Sequence, residues 1–99
     1  MLRELTEING VSGDEGRVRK YIKEKITPLC DEITVDSMGN VIALKRGVGE
    51  TRHKIMLCAH MDEVGFIVSD ITADGFVKFK PVGGIEKSML LTQRVVIDD

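Results

Sequence analysis

Apolar residues recur at helical spacing over the first 28 positions of the chain. This spacing predicts a short helix that ends at Gly10 and a longer one that ends before Pro28, because proline cannot continue a helix. The apolar positions are Leu2, Leu5 and Ile8 in the first helix, then Val18, Tyr21, Ile22 and Ile26 in the second. Ser12 and Glu15 have the spacing of a capping box, so we expect them to satisfy backbone N–H groups at the start of the second helix.

After Cys30 the apolar period changes from about 3.6 to 2, which is typical of strands. Turn residues at 37–40 separate the first two alternating segments, so a β-hairpin is predicted there. Residues 55–59 are continuously apolar without helical length, which predicts a central strand buried on both faces. The predicted strands are 32–36, 41–44, 55–59, 64–70, 76–80 and 94–97. A helical segment followed by strands predicts an α/β fold.

Length and charge narrow the classes of protein that remain. The chain has 99 residues, which is enough for one small domain or part of one, and a net charge of −2 with both signs interspersed. This charge pattern argues against nucleic acid or an anionic membrane as a partner. No apolar window approaches the roughly 18 residues of a membrane span, and the first ten residues lack the apolar core of a secretory signal. We therefore expect a soluble protein that stays inside the cell.

The most informative residues for chemistry are His60 and Asp62, which follow the apolar run 55–59. In an extended backbone, residues two apart face the same side, so both side chains can face a crevice at the end of the predicted strand. A neutral imidazole is a preferred ligand of zinc and cobalt, and a nearby carboxylate can accept the other ring N–H and fix the tautomer. The pair is therefore a sensible half of a metal site.

Other interpretations of these residues remain open. A single histidine beside an apolar run can also be a core or capping residue, and a catalytic zinc requires about three protein ligands. His53 lies in a charged stretch and is expected to be an exposed loop residue. Cys58, which could pair with His60 as a nucleophile, is expected to be a buried core residue instead. A glycosidase that uses Asp62 and Glu63 is disfavoured, because adjacent strand residues point to opposite faces.

Four segments in order resemble the opening of an M42-family metallo-aminopeptidase, a group of glutamyl and deblocking aminopeptidases sometimes labelled endoglucanases. They are N-G-V-S-G-D-E at 9–15, D-S-M-G-N-V-I-A at 36–43, C-A-H-M-D-E-V-G-F-I-V at 58–68 and F-K-P-V-G-G at 79–84. The combination is specific, and the resemblance covers essentially the whole chain.

The resemblance implies an α/β fold, the start of a zinc-exopeptidase-like α/β/α sandwich that leads into a β-rich dimerisation domain. Residues 1–70 would form the N-terminal part of the peptidase domain, and residues 71–99 would begin the inserted dimerisation domain. His60 matches the family's first metal ligand, and Asp62 matches the aspartate that orients this ligand and is counted as catalytic. The family's other metal ligands and its general base come later in the chain, so these 99 residues are expected to be inactive alone.

The resemblance also implies partners and a location. The complete enzyme would be a cytoplasmic metalloprotease that removes N-terminal residues from peptides with two divalent metal ions, zinc or cobalt. It would form homo-oligomers in which dimers assemble into a dodecamer, with no nucleic-acid or membrane partner. The alternative from another class is a non-catalytic β-rich module for interaction or oligomerisation.

Overall fold

The computed structural model describes residues 1–50 and 53–97. Helix α1 spans Leu2–Thr6 and helix α2 spans Gly16–Ile26, followed by a 3₁₀ turn over Thr27–Leu29 that contains Pro28. Both predicted helices are therefore confirmed, and the second ends next to its proline. Helix α1 is shorter than predicted, because the chain leaves the helix after Thr6, and Gly10 forms one backbone and one side-chain hydrogen bond with the distant Glu63 instead.

The predicted capping box at the start of α2 is wrong. Glu15 occupies the N-cap position, and no side chain caps the helix there. The Glu15 carboxylate instead accepts a hydrogen bond of 2.6 Å from the backbone N–H of Gly13, and the hydroxyl of Ser12 donates to Asp62. The helix begins at Gly16, so Ser12 lies too far upstream to reach its first turn.

The first hairpin confirms the pattern read from the sequence. Strands β1, Glu32–Val35, and β2, Val41–Leu44, pair antiparallel, with Val35 opposite Val41 next to the turn. Gly39 has a φ of 86°, a conformation that favours glycine, and the Asp36 carboxylate accepts backbone N–H bonds from Met38 and Asn40. These bonds lower the pKa of Asp36, with the side-chain amide of Asn40 as the largest cause.

The second hairpin joins strands β3, Gly65–Ile71, and β4, Val77–Val82. Its register shifts between Val68 and Asp70, and the rings of Phe66 and Phe79 meet edge to face with centroids 4.7 Å apart. Strand β4 runs two residues further than predicted because Pro81 is accommodated in it, as proline can be in an edge strand.

Two predicted strands are absent from the described residues. Residues 55–59 and 94–97 form no strand, and a 3₁₀ helix over Lys87–Leu90 precedes the second of them. Ile55, Met56 and Leu57 are 86%, 84% and 92% exposed, so the predicted burial is also wrong. A central strand needs hydrogen-bonded neighbours on both sides, and the two described sheets pair β1 with β2 and β3 with β4 only.

The apolar core of the described residues is small. Val18 on α2 is their one buried hydrophobic side chain, and the Cα radius of gyration is 18.3 Å. A compact domain of this size would measure about 13 Å. The mixed α/β content agrees with the predicted fold class, while the described residues form two separate two-stranded sheets rather than layers around one sheet. Val18 packs against Gly10, where an added Cβ atom would lie 2.5 Å from Cγ2 of Val18.

Candidate metal-ligating site

A junction between two distant segments of the chain positions the site. Val11 and Glu63 form an isolated parallel bridge, and the backbone N–H of Glu63 donates to the carbonyl of Gly10 over 2.9 Å. The Glu63 carboxylate also accepts from the N–H of Gly10 at 3.3 Å. These contacts bring residues 10–12 beside residues 61–63, which local sequence patterns do not reveal.

Glycine is required at the centre of this junction. A Cβ atom on Gly10 would lie 2.5 Å from Cγ2 of Val18, and one on Gly65 would lie 2.4 Å from Cγ2 of Val11. Valine is branched at Cβ and cannot turn away easily, so a larger residue at position 10 would push this segment away from α2, and one at position 65 would push it away from Val11.

His60 and Asp62 are in contact, as their spacing predicts. The ring Nδ1 of His60 lies 2.9 Å from carboxylate Oδ1 of Asp62 and 2.9 Å from the backbone carbonyl oxygen of Asp62. Both oxygens are acceptors, so a neutral ring can make hydrogen bonds to them only in the tautomer with the hydrogen on Nδ1. The lone pair of Nε2 is then free for another group, which is the arrangement found in metal-ligating histidines.

The exposure of His60 excludes a core position for its ring. Its side chain is 84% exposed, while that of Asp62 is 37% exposed. His60 is therefore not packed among apolar side chains, and its ring is accessible to a solute.

Asp62 has a second partner that the sequence did not indicate. The hydroxyl of Ser12 donates a hydrogen bond to Oδ2 of Asp62, the oxygen that does not face His60. This bond is the largest cause of a lowered pKa for Asp62, which the ring of His60 lowers further. Sequence reasoning assigned Ser12 to the helix cap, and no spacing rule links residues 50 positions apart.

An open cleft of about 150 Å³ adjoins His60 and Asp62 on the side of the first hairpin. Arg19 and Asn40 also line this cleft, and the Arg19 guanidinium donates to the carbonyl of Gly39 over 2.9 Å. Helix α2 and the β1–β2 turn thus form one wall of the space that His60 faces.

The described residues form no complete metal site. Within residues 1–50 and 53–97, no group of three or more His, Cys, Asp or Glu side chains is placed to hold a metal ion. A catalytic zinc requires about three protein ligands, so a metal held by His60 would need further ligands from elsewhere.

Two nearby residues can be compared with their predictions. Cys58 is exposed rather than buried, because no strand among residues 1–50 and 53–97 pairs with the segment that carries it. His53 is exposed, as expected of a loop residue, while Thr51 and Arg52 of the same predicted loop lie outside the described residues.

Comparison with known proteins identifies the family. Residues 39–99 match the family model described as M42 glutamyl aminopeptidase, and residues 1–20 match a model described as AMPT. The chain therefore belongs to the M42 glutamyl aminopeptidase family, as the four sequence segments predict.

Individual relatives match over nearly the whole chain. A putative aminopeptidase of Acetivibrio thermocellus is 46% identical, over 96% of this chain and 28% of the relative. The glutamyl aminopeptidase of Lactococcus lactis is 40% identical, over 97% of this chain and 27% of the relative. The crystal structure of an endoglucanase from Thermotoga maritima has a TM-score of 0.83 and 53% identity, covering 91% of this chain and 29% of that one.

The chain is much shorter than these relatives. The chain spans about a quarter of the length of the curated relatives it matches, 28% and 27% for the two named above. No helix among the described residues is long and apolar enough to cross a membrane.

Proposed function

We propose that the chain is the N-terminal part of a metal-dependent aminopeptidase that removes N-terminal residues from peptides. The observation that carries the proposal is the position of the imidazole: His60 is exposed and its Nδ1 lies 2.9 Å from Oδ1 of Asp62, so that donation from Nδ1 would leave the lone pair of Nε2 for a metal. Membership of the M42 family supports the reaction class, and the partial length of the chain accounts for the missing ligands.

His60 and Asp62 have the donor chemistry that a divalent metal requires. His60 would hold one ion through Nε2, and Asp62 would act as the catalytic aspartate that keeps the ring in the required tautomer. When bound, zinc or cobalt ions of this kind lower the pKa of a coordinated water and polarise a carbonyl group. In the complete protein, other parts of the chain would supply the remaining ligands, and the completed site would hold two such ions.

The boundary between the two proposed domains falls within the second hairpin, at the end of β3. Residues 71–99, of which 98–99 lie outside the described residues, would begin the β-rich dimerisation domain, and residues 1–70 would belong to the peptidase domain. Val68, Ile71 and Phe79 are 45%, 65% and 49% exposed on this hairpin, which leaves apolar surface for further packing. We propose that the complete protein is a cytoplasmic homo-oligomer, with dimers that assemble into a dodecamer, and that the 99 residues alone are inactive.

The exposed apolar surface also favours a second candidate, a non-catalytic interaction module. Among the described residues, the exposed large apolar side chains include Ile55, Met56 and Leu57 as well as those on the hairpin. A module of this kind would use the same surface for association without any chemistry at His60.

An activity assay of the full-length protein encoded by the gene separates these candidates. We expect hydrolysis of amino-acid arylamides after loading with Zn²⁺ or Co²⁺ and none of cellulose. The His60→Ala variant should lose more than 100-fold in activity, since removal of a ligand exceeds the 10- to 100-fold loss typical of its outer partner. The matched His53→Ala variant should retain activity. Full activity of His60→Ala, or no arylamide hydrolysis by the wild type, would contradict the proposal.

A further inference from the structure

The hydroxyl of Ser12 neither caps helix α2 nor belongs to the proposed metal ligands. It lies between the two segments at the junction, next to the Val11–Glu63 bridge. This bridge fixes the backbone on both sides of the contact, so the hydroxyl of Ser12 reaches the carboxylate of Asp62 across 50 positions of sequence.

The two oxygens of Asp62 have different partners. Oδ2 accepts from the Ser12 hydroxyl, and Oδ1 accepts from Nδ1–H of His60. A carboxylate held at one oxygen can rotate about its terminal torsion, which is broad for aspartate. When both oxygens are held, the plane of the carboxylate is fixed, and the oxygen that faces the imidazole stays in place.

We propose that Ser12 is a positioning residue for the metal site, which acts by holding the Asp62 carboxylate in the orientation that steers His60. This inference rests on the proposed function, in which His60 is a metal ligand. Ser12 would donate to Asp62, Asp62 would accept from His60, and His60 would present Nε2. Ser12 itself touches neither the metal nor the substrate.

The geometry also sets the expected size of the effect. Nδ1 of His60 has the backbone carbonyl of Asp62 as a second acceptor at 2.9 Å, and this acceptor survives any change of side chain. Loss of the Ser12 hydroxyl should therefore weaken the orientation of the ring without abolishing it. Substitution of a residue that hydrogen-bonds to a metal ligand typically costs 10- to 100-fold in metal affinity. Ser12 acts on His60 only through Asp62, so we expect a smaller loss of about 3- to 10-fold for Ser12→Ala.

A double-mutant cycle in the full-length protein tests the proposal, with Zn²⁺ affinity measured by competition with a chelator. Ser12→Ala should lower the affinity about 3- to 10-fold in the wild-type background and have no further effect in an Asp62→Ala background. The matched Ser12→Thr variant keeps the hydroxyl and should restore the affinity to within about twofold of the wild type.

A second measurement keeps the test independent of metal binding. In the metal-free protein, at a pH where the imidazole is neutral, ¹⁵N NMR reports which ring nitrogen of His60 carries the hydrogen. Ser12→Ala should lower the fraction with hydrogen on Nδ1, Asp62→Ala should lower it more, and the double variant should match Asp62→Ala. A structural role of Ser12 elsewhere would instead lower the unfolding midpoint equally in both backgrounds and leave the tautomer fraction unchanged.

The outcomes distinguish this inference from the proposed function. An equal loss of Zn²⁺ affinity in both backgrounds, or a tautomer fraction that Ser12→Ala leaves unchanged, would overturn the role of Ser12. A wild-type protein that binds no Zn²⁺ but shows the Ser12-dependent tautomer would contradict the proposed function and support only the orientation of the His60 ring by Ser12 through Asp62.

Discussion

Residues 55–59 and strand β3 have similar apolar character but different structures. Strand β3 pairs with β4 across a short turn, and Phe66 gains a packing partner in Phe79. Residues 55–59 pair with no strand among the described residues, and Leu57 is 92% exposed. An apolar run therefore indicates a tendency toward strand, and the neighbour that supplies the hydrogen bonds decides whether the strand forms.

The comparison also explains how the candidate site keeps its geometry. The predicted strand before His60 is absent, yet His60 and Asp62 remain in contact. The junction of residues 10–12 with 61–63 holds this part of the chain in place of a sheet. The site thus depends more on this long-range contact than on the apolar run that precedes it.

The largest expected effect on stability comes from breaking the junction. Gly10→Ala places a Cβ 2.5 Å from Cγ2 of Val18, and overpacking of this kind typically costs about 1 to 3 kcal/mol. We expect a corresponding fall in the free energy of unfolding, measured by urea denaturation, together with loss of the Glu63 amide's protection from hydrogen exchange.

Gly84→Ala is the matched control for this change. Nothing lies within 4 Å of a Cβ built on Gly84, so the substitution should change the free energy of unfolding by less than about 0.5 kcal/mol. Equal effects of the two substitutions would show that the close packing of Gly10 against Val18, beside the junction, does not stabilise the fold.

A smaller expected effect, on amide hydrogen exchange, distinguishes strand β3 from residues 55–59. Phe79→Ala removes the edge-to-face contact with Phe66, and such pairs contribute about 0.5 to 1.5 kcal/mol beyond area burial. Amide hydrogen exchange in β3 should accelerate by about fivefold for a loss of 1 kcal/mol. Leu57→Ala, at a side chain that is 92% exposed, should leave amide exchange in residues 55–59 unchanged. Acceleration by Leu57→Ala as large as that by Phe79→Ala would contradict the exposure described here.

Elements with local partners could be predicted from the sequence. Both helices and both hairpins follow from periodicity and turn residues, because their hydrogen bonds are made to residues nearby in the chain. The strand at 55–59 could not be judged in this way, since its partners would have to come from distant segments. Apolar character alone does not reveal whether those partners are present.

The candidate site was predictable to the same extent. The contact between His60 and Asp62 follows from a spacing of two residues, and the family resemblance follows from four short segments. The role of Ser12 could not be found, because its spacing to Glu15 suggested a helix cap and its partner lies 50 positions away. The long-range bridge between Val11 and Glu63 brings Ser12 next to Asp62, and this bridge is visible only in the structure.

The central claim is that the Asp62 carboxylate and backbone carbonyl hold the hydrogen of His60 on Nδ1 and leave Nε2 free for a metal. The most direct measurement is the ¹⁵N NMR spectrum of the His60 ring in the metal-free wild-type protein at a pH where the imidazole is neutral. The account predicts that Nδ1 carries the hydrogen. A ring with its hydrogen on Nε2, whose lone pair would then be unavailable to a metal, would contradict it.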